Sequence, residues 1–115
     1  MLNGERLLKA MGQRIIKRRK QLRLTQEELA EKIDVTAQMI STAELGKKAI
    51  RPENMLKICH ALDISADYLL TGEISEKDLY LICEKMKLLT PEQFRTTEEI
   101  IVNCLELCSK NEKKD

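Results

Sequence analysis

Tryptophan is absent from this chain, and aromatic residues make up only 3% of its 115 positions. The core cannot be built on stacked rings; it must be aliphatic, drawn from Leu, Ile, Ala and Met. Glycine (4) and proline (2) are scarce and β-branched runs are missing, which argues against strands and leaves an all-α reading. No stretch of about 18 apolar residues occurs, so no membrane-spanning helix is expected. The opening MLNGERLLKAMGQR carries charges where a secretory signal needs an apolar run. The expected location is cytoplasmic, where Cys59, Cys83, Cys104 and Cys108 would stay reduced. These cysteines contain no CxxC pair and His60 is the single histidine, which points away from a metal site. All four cysteines fall on apolar stripes and are expected to pack as small hydrophobes. Without a Gly-rich loop or a convergent acid pair, no cofactor and no enzymatic activity are expected.

What is present is charge, unevenly spread. Residues 1–72 carry 13 Lys/Arg against 9 Asp/Glu, and residues 73–115 carry 7 against 10. The extreme is RIIKRRKQLR, Arg14 to Arg23, with six basic residues and no acid. Such a split suggests a polyanion partner for one half only. The length suits one domain, or one small domain with a helical appendage.

Local signals divide the chain into seven helices. The first is read over 7–22, with Leu8, Met11, Ile15 and Leu22 on its apolar face. Thr25 and Glu28 form a capping box for a second helix, which ends near Lys32 and buries Leu29 and Ala30, with Ile33 just beyond. Asp34 tolerates the left-handed backbone needed for a sharp turn. Thr36 then caps a third helix ending near Leu45, with Gly46 as its stop. Ile40 and Ala43 face inward; Ala37, Gln38, Ser41 and Thr42 face outward. An exposed face of small and amide side chains differs from the Lys and Glu that simple solubility favours. Pro52 opens a fourth helix to Leu62, with Met55, Leu56, Ile58, Cys59 and Leu62 mostly buried. Ser65 starts a short fifth helix ending at Gly72. Ser75 caps a sixth with Leu79, Ile82, Cys83, Met86 and Leu89 at helical spacing. Thr90, Pro91 and Gln93 open a seventh to about Ser109, and residues 110–115 are expected to fray.

Two helices joined by a tight turn, the second with a polar outer face, match the helix-turn-helix signature over residues 25–45, with 36–45 as recognition helix. Beyond that motif, the stretches GQRIIKRRKQLRLTQEELAEKIDVT, ISTAELGK and LKICHALDISADYLLTG resemble the lambda-repressor-like, XRE family in order and spacing. The resemblance implies a five-helix DNA-binding domain over 1–72 whose third helix enters the major groove of double-stranded DNA. Carried over position by position, Ala37, Gln38, Met39, Ser41 and Thr42 would face base edges. Gln26, Lys47, Lys48 and Arg51 would hold phosphates. Arg19 and Glu44 would form a structural ion pair. Gln can pair bidentately with adenine, an Ala methyl can meet a thymine methyl, and Ser or Thr can bond either edge; phosphate contacts position without reading sequence. Arg14, Lys17 and Arg18 are expected near DNA only peripherally. Two positions depart from the family pattern, Asp34 and Arg23, each standing where Gly is usual; Arg23 would reshape its loop or add a phosphate contact.

Residues 75–109 form a helical pair with more apolar surface than one core needs. Phe94, Ile100, Ile101, Cys104, Leu105, Leu107 and Cys108 span about 160° of the seventh helix, against the roughly 100° of a single stripe. That surplus implies a second partner. One reading is the same helix of another copy, giving a homodimer that presents paired recognition helices to an inverted repeat. Others are folding back on the DNA-binding domain, or capture of a protein partner, as in antitoxins that share this fold.

Overall fold

The computed structural model describes the backbone of residues 4–112 and side chains as far as Leu107. All seven expected helices are present: α1 Gly4–Gln21, α2 Gln26–Lys32, α3 Ala37–Leu45, α4 Pro52–Leu62, α5 Ala66–Thr71, α6 Glu76–Met86 and α7 Pro91–Glu112. Among the described residues there is no strand, and no helix is long and apolar enough to cross a membrane.

Local chemistry explains most boundaries. Thr25 and Glu28 form the capping box of α2, with Glu28 N donating to Thr25 Oγ1 and Thr25 N to Glu28 Oε1, both at 3.0 Å. Thr90 and Gln93 do the same for α7. Left-handed residues end α3 (Gly46, φ 68°), α4 (Asp63, φ 55°) and α5 (Gly72, φ 81°). Asp34 (φ 58°) turns the chain between α2 and α3. Arg23 also takes φ 59°, so the loop keeps the backbone a glycine would give and is not reshaped. Two ends differ from the expected ones. α1 begins at Gly4 rather than Leu7, and α7 continues to Glu112 rather than stopping near Ser109, because Lys110, Asn111 and Glu112 contain no helix-stopping residue.

The chain forms two compact units, one extending to Leu79 and the other beginning at Tyr80. The first holds the aliphatic core: Met11, Ile15, Leu29, Ala30, Ile33, Ile40, Ala43, Ile58, Cys59, Leu62, Ile64 and Leu69. Two residues expected inside lie outside it. Leu22 follows the last turn of α1, and Leu56 sits on the outer side of α4, 67% exposed.

Two arginines of the basic run act as a clamp within the domain. Arg14 Nη1 donates to the carbonyl of Leu69 in α5 (2.9 Å), and Arg18 Nε to that of Leu62 at the end of α4 (2.8 Å). Cations at helix C-termini satisfy orphan carbonyls and complement the macrodipole. Arg14 and Arg18, expected only near DNA, thus also hold the domain together, while Lys17 is exposed.

Asp78 joins two helix starts. Its carboxylate accepts from the backbone N–H and hydroxyl of Ser75, the cap of α6 (2.9 and 3.0 Å). It also accepts from the backbone N–H and hydroxyl of Ser65, the cap of α5 (3.0 and 2.8 Å). Burial favours the neutral carboxyl, but these four bonds outweigh it, and the pKa of Asp78 lies below its ordinary value. The stabilisation it gives is therefore complete above the ordinary carboxylate range and lost as pH falls through the depressed folded value. Melting temperatures of the native chain and Asp78→Asn, measured across acid pH, should differ near neutrality and converge in acid; a constant gap would contradict this assignment.

Candidate nucleic-acid interface

The third helix, α3, is positioned by what it buries. Thr36 Oγ1 accepts the N–H of Met39, which starts α3 at Ala37. Ile40 (0% exposed) and Ala43 face the core, fixing which side of a nine-residue helix is left outside. Gln38 is exposed and Thr42 half-buried on that outer side, one turn apart, with Gln38 Nε2 donating to Thr42 Oγ1 at 3.3 Å. Ala37 and Met39 are half-buried and pack partly against the core, so each offers only its outer atoms. Ser41 is half-buried on the same helix.

Beyond Gly46 the chain turns back, with Lys47 N bonded to Thr42 O. A shallow groove separates α3 from the start of α4, bordered by Gln38, Met39, Thr42, Lys48, Arg51 and Asn54. It brings three expected base-facing residues beside two expected phosphate holders. Lys47, Lys48 and Arg51 are all exposed, and Arg51 is the residue before Pro52 at the N-terminus of α4. Asn54, in that first turn, was not singled out; only the spacing of the α3–α4 loop places it here.

The expected pair of Arg19 and Glu44 is present and buried. Arg19 Nε donates to Glu44 Oε2 at 2.6 Å and Nη2 to Oε1 at 3.0 Å, while Nη1 donates to the carbonyl of Leu24 at 2.9 Å. This bidentate bond, opposed by burial and reinforced by the charge of Glu44, raises the Arg19 pKa above its ordinary value. Gln26, expected at a phosphate, donates its amide to Glu44 Oε1 at 2.8 Å. One carboxylate thus gathers α1, the start of α2 and α3. Every buried side-chain polar atom among the described residues has a partner.

The cysteines divide. Cys59 is buried, and its thiol is pushed up by burial, with Asp78 adding and Lys77 opposing. Cys83 and Cys104 are exposed, so packing within one chain does not hold for them; the side chain of Cys108 lies outside the described residues. No group of three or more His, Cys, Asp or Glu among the described residues is placed to hold a metal ion.

In the second unit the helix faces differ from expectation. Leu79, at the boundary, and Ile82 and Cys83 were read as the inner stripe of α6 but are exposed, while Leu81, Met86 and Leu89 are half-buried. On α7, Phe94, Ile100, Ile101, Cys104, Leu105 and Leu107 are all exposed.

A capped short helix, a left-handed Asp, and a second helix held outward by an ion pair define a helix-turn-helix domain of the lambda-repressor-like type. The family described as Helix-turn-helix matches residues 15–69. The chain is 34% identical over 102 residues to the uncharacterised HTH-type transcriptional regulator YqaE of Bacillus subtilis (strain 168), covering 84% of this chain and 87% of YqaE. It is 38% identical over 69 residues to repressor protein C2 of Salmonella phage P22, covering 60% of this chain but 32% of C2. Among solved structures, the P22 c2 repressor in complex with synthetic operator 9T superposes with TM-score 0.53 at 40% identity, over 55% of this chain and 96% of that one. The clp gene regulator ClgR of Corynebacterium glutamicum, at 24% identity and TM-score 0.54, covers 89% of this chain and 93% of its own, and shares the fold. The chain belongs to the helix-turn-helix family of transcriptional regulators, of the XRE type.

Proposed function

We propose that the protein is a cytoplasmic repressor that binds an inverted-repeat operator in double-stranded DNA as a homodimer. The observation that carries the DNA reading is the outer face of α3. Gln38 and Thr42 stand one turn apart on it, in a groove flanked by Lys48 and Arg51. Gln38 and Thr42 read base edges, with the outer atoms of Ala37, Met39 and Ser41 completing the surface. Lys47, Lys48 and Arg51 hold the backbone, and the N-terminus of α4 adds amide donors to the same anion. Gln26, though bonded to Glu44 through its amide nitrogen, retains a second N–H that can meet a phosphate. Occupying a promoter then blocks polymerase sterically. The relative seen with an operator is the P22 c2 repressor, which supports this reading.

The second unit supports self-association. None of its described residues from Tyr80 to Leu107 is buried, so its helices leave exposed the surface that ordinarily stabilises them. The same face of a second copy, across a two-fold axis, covers Phe94, Ile100, Ile101, Cys104, Leu105 and Leu107, with Cys108 one turn beyond Cys104.

Selection of duplexes from a random pool should enrich an inverted repeat. On that operator Gln38→Ala is expected to cost about 1–3 kcal/mol and relax one base position. Lys48→Ala should weaken all sequences alike and lower the salt slope by about 1. Equal losses for both variants on every sequence would overturn the division into readers and holders. A monomer that captures a different protein through α7 would replace the homodimer with the partner-binding reading.

A further inference from the structure

We infer that Leu45 is a further specificity-determining residue, which reads the C5-methyl group of a thymine in the major groove. This rests on the reading of α3 as the helix that faces base edges. Leu45, the last residue of α3, stands nearly two full turns beyond Gln38, so the two lie within about 20° of one another around the helix. Gln38, Thr42 and Leu45 therefore form one stripe, with Ser41 at its edge. Ile40, Ala43 and Glu44 are buried on the other side. Leu45 is 54% exposed, so the core does not account for it.

Helix stability does not account for it either. The last turn of a helix is where a cation complements the macrodipole, and α3 has none there. Beside a polyanion, a cation at this position would gain phosphate attraction as well. Leu45 forgoes both and keeps more than half of its surface in water. It also stands between the two kinds of DNA contact. Thr42 precedes it by one turn, and exposed Lys47 and Lys48 follow just past Gly46. Helical side chains lean toward the N-terminus, so the isobutyl group reaches back over Ser41 and Thr42, toward base edges rather than phosphates. A leucine has neither donor nor acceptor. Of the groups that line the major groove only the thymine methyl is apolar; cytosine presents an amine, and adenine and guanine present ring and exocyclic polar atoms. Covering those with an isobutyl group leaves them desolvated and unbonded. Leu45 thus favours thymine by burying its methyl and by disfavouring the alternatives.

The test uses the full chain and its selected duplex, in which each thymine of one half-site is replaced in turn by deoxyuridine, which lacks only the methyl. Native protein should lose about fourfold in affinity at one such position, the worth of one buried methyl. Leu45→Ala should bind the all-thymine duplex about fourfold more weakly than native. It should be indifferent to deoxyuridine at that position, within about 1.5-fold, while keeping the native response at every other thymine. Leu45→Lys should lose the same thymine preference and raise the salt slope by about 1; it carries the test if Leu45→Ala fails to fold. An unchanged deoxyuridine profile in a folded variant would make Leu45 an ordinary exposed side chain and overturn the inference. So would native protein indifferent to deoxyuridine at every position, with Gln38 and Thr42 still tested by purine substitutions. Native protein that enriches no sequence from a random pool would instead remove the base-reading role of α3, and the inference with it.

Discussion

Glu44→Ala is expected to cost about 3–5 kcal/mol of folding stability, the penalty for leaving a buried partner charge uncompensated. Three donors lose their acceptor at once: the two Arg19 bonds and the amide of Gln26. Glu44 is 3% exposed and Arg19 8%, so water does not replace the lost bonds cheaply. Chemical denaturation of the full chain measures the effect. A loss below about 1 kcal/mol would place this pair with ordinary surface salt bridges. Replacing Arg19 and Glu44 together by apolar residues of similar volume should recover much of the loss, since buried ion pairs often gain little over well-packed hydrophobes. Operator affinity should not recover in parallel, because α3 would then lack the bond that fixes its angle.

Gly12→Ala should destabilise by about 3 kcal/mol, the upper end of what overpacking typically costs. At an open helix position the same change would gain about 1 kcal/mol. Position 12 is not open. A Cβ there would overlap the carbonyl oxygen of Glu44 and lie 2.8 Å from that of Ala43. Both obstacles are backbone of α3, so α1 and α3 must separate, and DNA affinity should fall with stability. Gly4, with nothing within 4 Å, is the control; alanine there should be neutral or mildly stabilising. A rise in stability for Gly12→Ala would refute the close crossing of α1 and α3.

Much of the domain was legible in the sequence because its signals are local. Thr25 with Glu28, Thr36, Pro52, Thr90 with Gln93, and the terminal glycines each act on backbone groups within four residues. The inward stripe of α3 follows from helical spacing alone, and with it the outward placement of Gln38 and Thr42. Arg19 and Glu44, 25 residues apart, were legible only through family resemblance.

Other features escaped because partners distant in sequence decide them. Nothing in GQRIIKRR says whether Gly12 faces solvent or another helix. Arg14 and Arg18 looked like charges awaiting an anion until the carbonyls of Leu69 and Leu62 arrived beside them. Leu56 and Ile82 were misplaced because spacing ranks apolar positions around a helix without saying how many neighbours will cover it. The SEKD segment, Ser75 to Asp78, carries a capping-box pattern that could have been read; its second grip, on Ser65, could not.

The sequence by itself thus determined the seven helices, their caps and turns, and the polar face of α3, since hydrogen-bond geometry and a 3.6-residue period act over a few residues. Only the tertiary structure decided that α1 and α3 touch backbone to backbone, that Arg14 and Arg18 clamp α5 and α4, and that one carboxylate joins the starts of α5 and α6. Those outcomes depend on which surfaces meet, and that is fixed by the packing of the whole core.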